Sequence, residues 1–282
     1  MRSCFLSCLI GTGVALCGGT AFAQSAADWS GFYVGLNGGW NGGHTSNRAT
    51  DLTVNQLSGV DAGAGALAVP SITVPTRRPN VSSNGFQGGG QIGFNAVAGP
   101  VVWGLEGDFD GMTNSYDTTG VLHLPATALS SGATVVARQR LQPRFDASIR
   151  GRVGFTYGRG LFYATGGPAW VRIRQNLGYT YAPTVTDAVA AANPGVAFGP
   201  YSSDSVTSDT RRGWTVGGGA ELLSRSNMTF GVEYRHTWAD GFADGAPASV
   251  ANTVYETGRT RYRDNAVLAR VNVKFGSFPK LF

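Results

Sequence analysis

Taken two residues at a time, the chain separates into faces. In the stretch 31–41, Phe32, Val34, Leu36, Gly38 and Trp40 fall on one side, and Tyr33, Gly35, Asn37, Gly39 and Asn41 on the other. A period of two marks extended backbone, because successive side chains of a strand point in opposite directions. The pattern returns seven times. In 84–97, Phe86, Ile92 and Phe94 oppose Gln87, Gln91 and Asn95. In 101–110, Val101, Trp103, Leu105 and Phe109 oppose Val102, Glu106, Asp108 and Asp110. In 144–157, Phe145, Ile149, Val153 and Phe155 oppose Arg144, Asp146, Ser148, Arg150 and Arg152. In 161–174, Leu161, Tyr163, Val171 and Ile173 oppose Ala164, Trp170, Arg172 and Arg174. The remaining three are 213–222, 229–238 and 266–275. There Trp214, Val232, Trp238, Val271 and Phe275 oppose Thr215, Glu221, Glu233, Arg235 and Arg270.

These segments predict eight strands, each about ten residues long. A strand of that length tilted by about 40° rises roughly 25 Å, the height of an outer-membrane apolar band. Aromatic residues recur at the ends of the apolar faces. Trp40, Trp103, Trp214, Trp238 and Phe275 are read as an interfacial girdle. The connections alternate in length. Residues 42–83, 111–143, 176–211 and 239–265 are long and polar, whereas 98–100, 158–160 and 223–228 are short. Long exterior loops and short periplasmic turns are the habit of an eight-stranded antiparallel up-and-down transmembrane β-barrel, and that all-β fold is the expectation. A soluble two-sheet sandwich also alternates, but it needs no charges on its inward face.

Composition supports this. Glycine accounts for 42 of 282 residues, about twice the usual share, and charged residues for only 14%. After the first residues, no apolar run approaches the ~20 needed for a spanning helix. The net charge of +5 rests on arginine, since Lys274 and Lys280 are the only lysines. The arginines alternate with apolar residues rather than forming a nucleic-acid footprint, so no nucleic-acid partner is expected.

The start of the chain has the form of a secretory signal: Arg2, an apolar run from Phe5 to Leu16, then Ala21-Phe22-Ala23. The expected cut lies between Ala23 and Gln24. Cys17 suggests a lipoprotein cut, but Leu16 before it is too large for that pattern. Cys4, Cys8 and Cys17 leave with residues 1–23, so the mature chain has no thiol chemistry. The expected organisation is signal peptide 1–23, a short periplasmic segment 24–30, a barrel over 31–275, and a C-terminal extension 276–282.

The segments WSGFYVGLNGGW, GFQGGGQIGFN, VVWGLEGDFDG, IRGRVGFTYGRGLFYATGGPAW, GWTVGGGAE and VNVKF occur in that order and cover about the strand half of the chain. In combination they resemble the outer-membrane β-barrel family that includes alphaproteobacterial surface antigens and haem-binding porin-like proteins. The resemblance implies an eight-stranded barrel in the outer membrane, inserted by the barrel-assembly machinery among lipid and lipopolysaccharide. Family members usually stop at the aromatic of the last strand. Here GSFPKLF follows Phe275, so either Phe275 or Phe282 ends the assembly signal.

Three sets of residues bear on chemistry. Gly88 to Gly93 matches GxGxxG, but strand alternation runs through it, and a dinucleotide site needs a helix there. His44, His123 and His236 form no metal-ligand spacing; the first two fall in the long connections. Third are the charges that alternation points inwards: Glu106, Asp108, Asp146, Arg150, Arg152, Arg172, Arg174, Glu221, Glu233, Arg235 and Arg270, together with Arg144. A carboxylate between low-dielectric walls needs a partner, and arginine supplies one bidentately. Two readings stand: an ion-paired plug, or a narrow path with weak anion preference. Eight strands enclose a space that side chains just fill. The expectation is a non-enzymatic monomer without cofactor, metal or catalytic residues, serving a structural and surface-interaction role. Its loops meet the exterior, an extracellular ligand such as haem, or a host surface.

Overall fold

A computed structural model describes residues 29–47, 50–55, 71–76, 81–124, 132–184, 200–244 and 254–275. The expected signal peptide with Ala23 and Gln24, the start of the 24–30 segment, and the extension 276–282 lie outside these residues. The described chain forms strands β1 (Gly31–Asn47), β2 (Thr50–Asn55), β3 (Ser71–Thr76), β4 (Val81–Ala98), β5 (Val101–Met112), β6 (Tyr116–Leu124), β7 (Gly132–Tyr157), β8 (Gly160–Thr184), β9 (Tyr201–Leu223), β10 (Met228–Asp244) and β11 (Val254–Phe275).

Eight of these strands pair antiparallel in the order β1-β4-β5-β7-β8-β9-β10-β11, and β11 returns to β1. The closing register runs from Phe32↔Phe275 through Trp40↔Val267 to Asn47↔Thr260. Closure leaves no unpaired edge, which is what a wall in lipid requires. β6 continues the line of β5 along β7, after a break at Thr113–Ser115 that Thr113 N–H spans by donating to the Phe86 carbonyl (3.1 Å). The β2–β3 hairpin pairs with the far part of β11.

The three tight turns, 99–100, 158–159 and 224–227, lie at the same end as the start of β1 and the end of β11. Gly99, Gly158 and Asn227 adopt left-handed φ near +60° there. Glycine and asparagine accept that conformation at least cost.

Outside, the wall is apolar. Leu36 (71% exposed), Trp103, Leu105, Ile149, Val153, Phe162, Leu222 and Val232 all point outwards. The five girdle residues also stand on this face, Trp40 at 75% exposure. Trp214 pairs directly with Trp238 across β9–β10, and Trp40 meets Phe86 edge-on at 6.3 Å. On β1, β9, β10 and β11 the band runs over nine residues, eight steps along the strand, from Phe32 to Trp40, Leu222 to Trp214, Phe230 to Trp238 and Phe275 to Val267. At about 3.3 Å per residue and a ~40° tilt this is roughly 20 Å, close to the band of known barrels.

Two expectations are corrected. Much of 42–83, 111–143, 176–211 and 239–265, expected as loops, is strand. β7 and β8 run for 26 and 25 residues, far past the aromatic ring, and His44 and His123 sit on β1 and β6. Beyond the membrane neither face meets lipid, so the apolar stripe that reveals a strand disappears while the ladder continues. The second correction is the facing of β8. Leu161, Tyr163, Ala169, Val171 and Ile173 point inwards and are buried, so Arg172 and Arg174 are exposed on the outside. Arg144 also points out. A bulge between Pro143 and Phe145 shifts the alternation of β7, leaving Leu141 and Asp146 both inside.

Candidate functional site: a stratified, ion-paired lumen

The interior is built in layers. At the turn end, Trp29, just before β1, is fully buried against Val102, Leu161 and Tyr163, with Val97 and Leu223 packed around them. This apolar floor closes the barrel mouth. Above it lies the charge layer, flanked by carboxamides from β1, β4 and β11. At the far side Tyr116, Leu141, Val171, Ile173, Ala239 and Tyr262 form an apolar ceiling. The ceiling residues of β8 are apolar because they face this interior, not lipid.

Alternation along the strands places each charge. β5 contributes Glu106, Asp108 and Asp110; β7 contributes Asp146, Ser148, Arg150 and Arg152; β9 contributes Glu221; β10 contributes Glu233 and Arg235; and β11 contributes Arg270. Arg150 is fully buried and reaches three carboxylates: Nη2 to Glu106 (2.5 Å), Nη1 to Glu233 (2.6 Å) and Nε to Asp108 (3.1 Å). Arg235 Nη1 donates to Asp108 (2.8 Å) and Asp110 (2.7 Å). Arg270 pairs with both Glu106 and Glu233. Arg152 donates to Glu221 (2.6 Å), and its guanidinium lies 3.7 Å from the Tyr163 ring centroid.

Two tyrosines complete the layer. Tyr33 Oη donates to Glu106 (2.6 Å), and Tyr163 Oη donates to Glu233 (2.8 Å). Each lies over a glycine of a neighbouring strand: a Cβ on Gly93 would fall 2.3 Å from the Tyr33 ring, and one on Gly219 2.6 Å from Tyr163 Oη. Glycine on the inward face thus makes room for the large hydrogen-bonding groups. Buried charges are tolerated only when paired, and this layer pairs its charges across seven of the eight wall strands, leaving Arg152 Nε and Arg270 Nε without a hydrogen bond.

Next to it, Asp110 and Asp146 stand directly opposite each other, and Gln87 Nε2 donates to both (3.1 and 3.3 Å). Asn37 donates to Asp110 and Gln91, and Gln91 donates to Asn272 (2.7 Å). Carboxylate oxygens of Asp108, Asp110 and Asp146 come within 4.8 Å of one another, two of these acids being held by Arg235.

Of the charges expected inside, Glu106, Asp108, Asp146, Arg150, Arg152, Glu221, Glu233, Arg235 and Arg270 are brought together; Arg144, Arg172 and Arg174 are not. Among the described residues the buried charged groups are then seven carboxylates (Glu106, Asp108, Asp110, Asp146, Glu221, Glu233, Asp264) against four guanidiniums (Arg150, Arg152, Arg235, Arg270). Asp110 was legible on the inward face. Tyr33 stood on the polar face of the first strand as well, whereas Tyr163 and Trp29 were not legible, because tyrosine and tryptophan serve a lipid interface as well as a packed interior. The histidines stay apart. His44 and His123 bond Ser82 (3.1 Å) and Thr134 (3.2 Å), and His236, on the outer face, bonds Asn265 (2.8 Å).

A closed antiparallel ring, apolar outside and ion-paired within, defines the transmembrane β-barrel class. The chain belongs to the outer membrane protein beta-barrel domain family, whose model matches residues 12–275, and it is an integral protein of the outer membrane. It is 28% identical over 222 residues to the 31 kDa outer-membrane immunogenic protein of Brucella melitensis, covering 77% of this chain and 74% of that one. Among solved structures it is similar to Neisserial surface protein A (15% identity, TM-score 0.38, 87% of this chain and 98% of that one). It is also similar to the outer membrane protease OmpT of Escherichia coli (10% identity, TM-score 0.41, 92% and 99%).

Proposed function

We propose that the protein is a plugged, monomeric outer-membrane anchor. In this reading the turn end faces the periplasm, and the long strand extensions carry a contact surface to the exterior, for an extracellular ligand or a host surface. The observation that carries the reading is the layered interior, in which an apolar floor, an ion-paired layer with seven strands in it and an apolar ceiling occupy the full height of the wall. A rigid plug costs nothing to an anchor but abolishes a pore.

Planar-bilayer conductance of the refolded protein tests this. Protein whose gel migration shifts on boiling, and which is therefore folded, is expected to give no channel steps. Steady steps would overturn the plug. They would also carry a sign: with seven buried carboxylates against four guanidiniums, a conducting lumen selects cations. The weak anion preference expected from an arginine-lined lumen loses support, because Arg144, Arg172 and Arg174 stand outside and the remaining four guanidiniums are outnumbered by carboxylates. Haem capture by His44 or His123 gains no support, since each ring is held by a hydroxyl on a neighbouring strand.

A further inference from the structure

Just past the aromatic ring the outer wall turns from apolar to basic. Arg172 and Arg174 on β8 point outwards, two and four residues beyond Trp170. Arg212 on β9 stands opposite Trp170, two residues from Trp214. On β7 the bulge turns Arg144 outwards beside Phe145, whose partner across the ladder is Arg172. Arg172 lies opposite Thr210, so Arg212 is its diagonal neighbour, at about 7–8 Å. Four exposed guanidiniums therefore share three adjacent strands.

Among the described residues no carboxylate pairs with any of the four. Asp209, on the same stretch of β9, is taken by Arg211 (2.5 Å), and Asp240, exposed at the next position of β10, is in no ion pair with them. At the same height Asp110 and Asp146 are on the inside. Charge is thus sorted across the wall, acid within and base without. Like charges on neighbouring strands repel, and a multivalent anion relieves that repulsion.

Position selects the anion. The wall below the cluster is the apolar band, so the cluster lies in the headgroup layer of one leaflet. Guanidinium forks match phosphate bidentately, and all four residues are arginine rather than lysine. Phe145, Trp170 and Trp214 beneath them offer apolar surface to acyl chains. We propose that Arg144, Arg172, Arg174 and Arg212 bind the phosphates of the phosphorylated glycolipid anchor of lipopolysaccharide in the outer leaflet. The proposal rests on the orientation given above, with the far end outwards.

The test uses the full-length protein isolated from outer membranes, in detergent micelles, titrated with diphosphorylated lipid A and with the same lipid after dephosphorylation. Bound lipid is read by native mass spectrometry. Replacing all four arginines by glutamine is expected to weaken binding of the phosphorylated lipid by about tenfold or more, as for loss of several interfacial arginines. The matched control, R159Q with R225Q at the tight turns, is expected to bind as the unaltered protein does. The dephosphorylated lipid is expected to bind the unaltered protein no better than the phosphorylated lipid binds the fourfold variant. Equal binding by the fourfold variant and the unaltered protein overturns the site. Competition by millimolar inorganic phosphate overturns the lipid assignment in favour of a free-anion site. A boiling-dependent gel shift verifies folding, and R172Q with R174Q is read in the same way if the fourfold variant fails that check. Orientation is tested separately by labelling Thr180→Cys on intact cells with a membrane-impermeant maleimide. Labelling is expected, and its absence counts against the orientation rather than against phosphate binding.

Discussion

Arg150 pairs with three carboxylates of the interior, and its replacement by methionine tests how far the plug depends on charge pairing. Methionine keeps the stem's volume and removes the guanidinium. Glu106, Asp108 and Glu233 each lose a direct ion pair, at 2.5, 3.1 and 2.6 Å respectively. The buried ratio shifts from seven carboxylates and four guanidiniums to seven and three. Removing one member of a buried, hydrogen-bonded ion pair costs about 3–5 kcal/mol, because the remaining charge is left without compensation. Arg235 and Arg270 still contact the same acids, so the lower end of that range is expected. Equilibrium unfolding in guanidinium, with detergent present and tryptophan fluorescence as readout, measures it. The double variant E106Q/R150M removes charge of both signs, and its loss is expected to fall short of the sum of the two single losses by about 0.5–3 kcal/mol. An R150M protein within about 0.5 kcal/mol of the unaltered one would refute the claim that the charge layer holds the barrel together.

The outer arginines supply the contrast. R172M with R174M is expected to change unfolding free energy by less than about 0.5 kcal/mol per site, as for surface positions; a loss like that of R150M would return these residues to the lumen. Gly93→Val is expected to push Tyr33 off Glu106 and cost about 1–3 kcal/mol by overpacking, with a matching midpoint shift in urea; an unchanged midpoint would mean that Tyr33 has room to move. Trp29→Ala opens the floor and is expected to cost about 3–5 kcal/mol while removing the tryptophan least accessible to acrylamide quenching. A variant as stable and as quenchable as the original would remove Trp29 from the core.

The membrane-embedded half of the fold was legible because each strand there has unlike solvents on its two sides. Lipid demands an apolar outward face, so Phe32 to Trp40, Phe230 to Trp238 and Val267 to Phe275 carry a clean period of two. Nine of the twelve charges placed inside by alternation are inside. Arg144 failed because a bulge is a local change of count that leaves no mark in a hydropathy pattern. Arg172 and Arg174 failed for another reason. On β8 the apolar alternates Leu161, Tyr163, Val171 and Ile173 serve the floor and ceiling of the lumen, and apolar residues look the same in sequence whether they face lipid or a packed interior.

What the sequence determined by itself is therefore the class and the wall: strand periodicity, an arginine–carboxylate interior and an aromatic boundary, all set by local alternation and composition. Tertiary structure decided the rest. Closure of β11 onto β1 brought Arg270 to Glu106, 164 positions apart in the chain. The ladder carried β7 and β8 beyond the membrane where no stripe announced them. The facing of β8 decided whether its arginines neutralise the lumen or coat the rim. The physical reason is common to all three. Alternation reports that a strand has two faces, but which face is inside depends on what the neighbouring strands enclose.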